Sequence, residues 1–334
     1  MNSYGRIFRL SIYGESHGPS LGIVLDGCPA GIPLEERDFD ADIERRNPSL
    51  AGTTTRKETD RPQILSGMFA GHTTGAPLHI LFMNKDTDSS VYDAIKDIPR
   101  PGHADFPAHK KFGGFQDHRG GGHFSGRLTL GMVAAGVLAK KILDPIVIHA
   151  QVTEAGGSAK IEETVEEAQK NRDSIGGIVE CECRGVPVGL GEPFFDTAES
   201  LLSHILFAIP AVKGVEFGAG FRSARMTGSE HNDRILSLEG ATGTNHSGGI
   251  NGGLTNGNPI RFRVAVKPTS SIPRKQRSID LKTGEQTDLV IEGRHDTCIA
   301  LRMPVIVEAA TAIVLADLML LTQHKPRIRP KIQK

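Results

Sequence analysis

The sequence predicts an α+β fold, with antiparallel strand pairs and helices alternating irregularly rather than in the rhythm of a parallel doubly wound sheet. Three observations point there. "GRIFRLSIYG" and "SLGIVLDGCP" read as neighbouring strands joined by the short loop "ESHG". Residues 125–143 place Leu130, Val133, Ala134, Val137 and Leu138 on one helical stripe. Further strand patterns, "APLHILFMN", "GVEFGAGF", "PIRFRVAV" and "TDLVIEG", follow at uneven spacing.

Taken in order, "PLEERDFDADIERR" has acids in its first turn and arginines in its last, the sense a helix dipole favours, so a helix is expected. Residues 85–122 show no period and are rich in His, Pro and Gly, which favours a long site-forming loop. Strands near 146–152 and 177–183 flank a short acidic helix at 162–170. "DTAESLLSHILFAI" reads as an amphipathic helix with Asp196 as its N-cap. A last helix spans 304–324. Its apolar run, 299–321, is interrupted by Arg302, Glu308 and Asp317, which marks a buried helix rather than a membrane span. No shift in composition cuts the chain, so one domain over 1–324 is expected, with a disordered basic tail at 325–334.

Lys plus Arg and Asp plus Glu each number 39. No global field therefore favours nucleic acid or an anionic membrane, and an anionic partner must be met by local clusters. The four cysteines form no zinc pattern and no CxxC, and "MNSYGRIFRLSIYG" lacks a signal-peptide core. Reduced thiols, a soluble protein and a cytoplasmic location are the expectation.

Several short stretches carry chemistry. His17 in "ESHG" follows Ser16, and a loop histidine beside a hydroxyl suits proton transfer. His103 in "RPGHADF" lies three residues from Arg100, a pairing that suits an anionic substrate. "KPTSS", Lys267 to Ser271, concentrates an ammonium, three hydroxyls and backbone N–H groups, a donor set for phosphate. Arg294 and Asp296 precede the last helix, and Arg45, Arg46, Arg56 and Lys57 form a basic run. Each of these has a plain structural alternative: a histidine bonding its own backbone, a polar turn, a surface ion pair, a solvated charged face. "RGGGHFSGRLT", 119–129, looks like a phosphate loop entering a helix, yet no GK[ST] follows its glycines and its GxGxxG spacing is wrong. No metal site is indicated.

Together the stretches resemble one family. "GRIFRLSIYGESHGPSLGIVLDGCPAGIPL", "TTGAPL", "AIKDIPRPGHADF", "GVPVGLGEP", "AVKGVEFGAGF", "NHSGGINGG", "KPTSSI" and "GRHDTC" occur in the order found in chorismate synthases, over almost the whole chain. The resemblance implies a homotetramer of β-α-β sandwich subunits, with helices between antiparallel sheets. It also implies a trans-1,4 elimination of phosphate from 5-enolpyruvylshikimate 3-phosphate that gives chorismate and needs reduced FMN, with NADPH as a candidate reductant. Carried onto this chain, His17 would protonate the departing phosphate, helped by Ser16 and Ser125. His103 would keep reduced FMN in its working protonation state, and Asp296 would relay the substrate proton. Arg46, Arg100 and Arg127 would bind substrate. His123, Phe124, Ser125, Ala211, Gly252, Lys267, Pro268, Thr269, Ser270, Ser271 and Arg294 would surround FMN.

The departures from the family pattern are concentrated. Where the family reads "GGGRSSARET", this chain has "GGGHFSGRLT", so His123 stands for an arginine, Phe124 for a serine, Gly126 for an alanine and Leu128 for a glutamate. Pro210 replaces an asparagine and Gly52 a second arginine. Removing one charge-assisted hydrogen bond costs roughly 1.5–3 kcal/mol. Restoring arginine at 123 and serine at 124 is therefore expected to tighten FMN binding.

Overall fold

The computed structural model describes residues 2–47, 52–53, 60–85, 89–291, 293 and 295–325. The expected disordered tail beyond 325, together with Arg56, Lys57 and Arg294, lies outside the described residues.

Two antiparallel sheets enclose two long helices. The first sheet has the order Ser3–Tyr4, Arg9–Gly14, Ser20–Asp26, Leu78–Met83, Gln63–Ser66. The second runs Val212–Phe217, Ile260–Val266, Gly177–Arg184, Val147–Ala155. Alternation sets the buried faces. Leu21, Ile23 and Leu25 pair with Phe82, Ile80 and Leu78, and all six are fully buried. In the second sheet Ile260, Phe262 and Val264 pair with Cys183, Cys181 and Val179 on the inner face. All four cysteines are buried thiols outside any disulfide.

Helix Thr129–Leu143 packs on the first sheet, Met303–Leu321 on the second, and the two helices pack on each other. Both are apolar nearly all round, as a helix enclosed on every side must be. They cross at Gly136, where a Cβ would stand 2.7 Å from Ala309 Cα, so only hydrogen fits. Helix 299–321 is long and apolar enough to span a membrane, but 89% of its apolar window is buried within the protein.

The three charges that interrupt this helix each hold a different part of the fold. Asp317 accepts from the backbone N–H groups of Arg6, Ile7 and Phe8. Glu308 accepts both arms of Arg45 at 2.7 Å, Lys140 at 3.2 Å and the Ala150 N–H at 3.0 Å. Burial alone would raise the Glu308 carboxyl; these donors hold it below the usual range. Arg302 donates to the Arg46 carbonyl and to Asp296.

Several local expectations change. The 85–122 segment contains helices Ser90–Ala94 and Asp105–Phe112, too short to show a period. Asp196 does not cap the next helix: Thr197 does, its Oγ1 accepting from the Ser200 N–H, while Asp196 pairs with Arg6. The acidic stretch 36–46 divides into a 3₁₀ turn and the helix Asp40–Arg46.

Asp233 anchors the "NHSGG" loop by accepting from Thr244 Oγ1 at 2.6 Å and from the N–H groups of His246 and Ser247. Burial opposes its charge, yet these bonds lower its pKa to about 2. Its contribution is therefore present above the ordinary value near 4 and is lost as the pH falls towards 2. Asp233→Asn is expected to destabilise by about 1–3 kcal/mol at neutral pH. In urea melts the gap to wild type should shrink below pH 4; a constant gap would contradict this account.

Candidate active site

The loop 15–19 turns between strands Arg9–Gly14 and Ser20–Asp26 and buries Ser16 and His17 at the end of the first sheet. His17 Nδ1 lies 2.9 Å from Ser89 Oγ, and its ring meets Tyr92 edge-on at 5.3 Å. Ser125 donates to Ser16 Oγ at 3.2 Å. Opposite stand three buried guanidiniums, each braced. Arg127 makes a two-armed ion pair with buried Asp60 at 2.8 and 2.7 Å and also reaches Asn84. Arg46 donates to Thr129 and to the carbonyls of Gly126 and Arg127. Arg100 is held by Asp105 and Ser271.

These groups surround a cavity of about 210 Å³, lined by Ser16, His17, Arg46, Arg100, Ser125, Arg127 and Asp296. Tyr92, Pro210, Thr269, His295 and Arg302 complete the wall. Four arginines against one aspartate make it a receptor for an anion.

The three glycines of "RGGGHFSGRLT" do not form a helical first turn. Gly120, Gly121 and Gly122 have φ of 57°, 82° and 53°, and the helix starts only after a 3₁₀ turn capped by Ser125. A Cβ on Gly120 would approach His17 Cδ2 to 2.5 Å, and one on Gly121 would approach His103 Cε1 to 3.1 Å. Bare backbone thus passes between the two histidines.

His103 lies behind that backbone. It lines a second, smaller cavity with Asp105, His118 and Phe124, and Arg100 and Tyr92 border both spaces. Phe124 stacks at a tilt on Phe112. His123 faces away from the main cavity: its Nδ1 lies 2.7 Å from the Gly14 carbonyl and its Nε2 3.1 Å from Asn2 Oδ1. It borders a third cavity of about 200 Å³, which shares Ser125, Thr129 and Pro210 with the first. Both partners are oxygen acceptors, which a guanidinium also serves, so flavin titration of the His123→Arg variant decides whether arginine there tightens FMN binding.

Of "KPTSS", only Thr269 borders the main cavity. Lys267 and Ser270 donate to the Gly102 carbonyl and fix the turn before His103, while Pro268 is exposed. Burial and the Lys213 charge lower the Lys267 ammonium pKa. Ala211 has φ of 73° and accepts the Lys267 N–H. Gly252 sits in the tight turn between Ile250–Asn251 and Leu254–Thr255, outside the cavity lining.

Two observations bear on a flavin. Among the described residues, Thr269 Oγ1 and His295 Nε2 at the wall are buried without a hydrogen-bond partner. A Cβ on Gly126 would meet nothing within 4 Å. Unspent polar atoms beside open space fit a bound polar cofactor.

The sequence model of the family described as chorismate synthase matches residues 8–320. The chain belongs to the chorismate synthase family. It is 58% identical to a chorismate synthase of Chitinophaga pinensis, over 98% of this chain and 99% of that one. It is also 45% identical to one of Korarchaeum cryptofilum, over 94% and 96%. A crystal structure of chorismate synthase superposes with a TM-score of 0.73 at 27% identity, covering 96% of this chain and 93% of the other. Membership makes the protein an enzyme of aromatic biosynthesis and agrees with the α+β sandwich read from the elements.

The departures from the family pattern now have places. Gly52 is not simply an absent arginine: with φ of 85° its backbone packs against Val165, leaving no room for a Cβ, and its carbonyl accepts the Thr297 N–H. Pro210 presents an apolar ring to two cavities. Sequence reasoning missed Asp60, Tyr92, Asp105, His295 and Arg302. Asp105 stood two residues from His103, and Arg302 broke an apolar run; both were visible signals. Asp60 carried none. Burial and the Arg100 charge lower the His295 pKa below its ordinary value, which favours its neutral form beside the arginines.

Proposed function

We propose that the protein converts 5-enolpyruvylshikimate 3-phosphate to chorismate and phosphate by trans-1,4 elimination with reduced FMN bound. The observation that carries this reading is the convergence of His17, Ser16, Ser125, three braced arginines and Asp296 on one cavity. As the C–O bond to phosphate breaks, charge gathers on the leaving group. Arg46, Arg100 and Arg127 are already oriented by their acceptors and stabilise that charge without reorganising. His17, backed by Ser16 and Ser125, donates a proton to the phosphate, and Asp296 takes up the ring proton. Reduced FMN, when bound, supplies electron density to the ring without net redox turnover. Ser125, Thr269 and the backbone at Ala211 would hold it, with Arg294.

The same reading carries a homotetramer in the cytoplasm, with NADPH as the candidate reductant; gel filtration and anaerobic reduction assays check the first and last. Purified protein given reduced FMN and the enolpyruvyl substrate without oxygen should form chorismate. Tight FMN binding with no chorismate at any enzyme concentration would instead mark a non-catalytic flavin-binding relative.

A further inference from the structure

Asp105 lies outside the main cavity, yet its two carboxylate oxygens serve both Arg100 and His103. Oδ2 accepts the Arg100 N–H at 3.0 Å and Arg100 Nε at 2.7 Å; Oδ1 accepts Arg100 Nη2 at 2.9 Å and lies 2.6 Å from His103 Nδ1. Arg100 Nη2 also stands 3.1 Å from His103 Nδ1, but a guanidinium and an ionised carboxylate make opposite demands on that nitrogen. The shorter distance to the carboxylate decides it: Nδ1 carries hydrogen and donates to Asp105. Asp105 can always play this part. Burial would raise its carboxyl, yet hydrogen bonds from Arg100 and His103 hold it far below the usual carboxylate range.

Two consequences meet in the site. Fixing Nδ1–H leaves Nε2 as the nitrogen of His103 whose proton can change, and Nε2 is the edge that faces the bare backbone of Gly121. Anchoring two nitrogens of Arg100, with Ser271 on the third, aims the guanidinium along the wall shared by both cavities, over the Tyr92 ring at 5.5 Å. We propose that Asp105 is a positioning residue for the reaction, one carboxylate that sets the tautomer of His103 and the orientation of Arg100 together.

Asparagine at 105 cannot substitute. Both oxygens receive donors, so whichever way the amide is turned its NH₂ meets an N–H of Arg100. The inference rests on the proposed reaction for its kinetic readout but not for its spectroscopic one. In ¹⁵N spectra of the full chain, His103 should show the Nδ1–H form in the wild type and a mixed or Nε2–H form in Asp105→Asn. In turnover, Asp105→Asn should lower kcat about 10²-fold, the size of a general acid–base contribution, with Asp105→Glu recovering part of the loss. In a His103→Ala background the same substitution should cost far less, because its effect passes partly through that ring. An unchanged tautomer with fully additive losses would overturn the proposal and leave Asp105 a brace of the 100–105 turn alone. A wild type that makes no chorismate would instead remove the reaction, while the spectra still decide the tautomer.

Discussion

His17→Ala is expected to lower kcat by about 10²–10⁴-fold, the range a positioned general acid contributes, while KM for the phosphorylated substrate changes little. The separation follows from the geometry. Binding of the anion falls to Arg46, Arg100 and Arg127, whose braces (Thr129, Asp105 with Ser271, Asp60 with Asn84) do not involve His17. Proton delivery falls to the one imidazole on the cavity wall beside two hydroxyls. His295 also reaches that wall, but its lowered pKa leaves it a poor acid near neutrality. Truncation at 17 enlarges an existing cavity rather than opening one in the core, so the thermal midpoint should stay near wild type. A kcat within tenfold of wild type would remove His17 as the proton donor, and a large rise in KM alone would reassign it to binding.

What the sequence made legible was whatever repeats or is dense. The alternation that buries Leu21, Ile23 and Leu25 was visible because period follows from burial on one face. The stripe read along 129–143 was only part of that helix's apolar surface, since it is buried nearly all round. His17, Ser16, Arg46 and Arg127 could be nominated because the resemblance covered their motifs, but nothing in their spacing said that they meet. Acceptors were harder to see than donors. Asp60 pairs with Arg127 across 67 residues, and no local pattern signals a pairing set by the tertiary fold. The surroundings of the substituted positions were equally hidden. After three left-handed glycines the His123 ring meets Gly14 and Asn2, contacts that no spacing announces. Gly52 looked like an arginine gone from the site and is instead a backbone packed against a helix.

The glycine triplet yields the second large effect. Gly120→Ala is expected to lower kcat about 10²-fold, the penalty for displacing a reacting group by roughly 1 Å. A φ of 57° itself costs an alanine only about 1 kcal/mol. The decisive effect is steric: the new methyl would lie 2.5 Å from His17 Cδ2, 2.6 Å from Nε2 and 2.8 Å from Ser16 Oγ. Neither partner can retreat at low cost. His17 is held at Nδ1 by Ser89 and flanked by Tyr92, and the Ser16 N–H is tied to the Gly122 carbonyl of the same loop. Both the proton donor and the hydroxyls behind it would shift. Gly126→Ala provides the control six residues on. Its methyl would enter open space with nothing within 4 Å and no left-handed backbone, so stability should hold within about 0.5 kcal/mol. Thermal midpoints measured side by side should show Gly126→Ala near wild type, and the kcat of Gly120→Ala is read against wild type. A wild-type kcat in Gly120→Ala would mean that the loop yields, and that bare backbone at 120 is a matter of turn geometry rather than of keeping His17 in place.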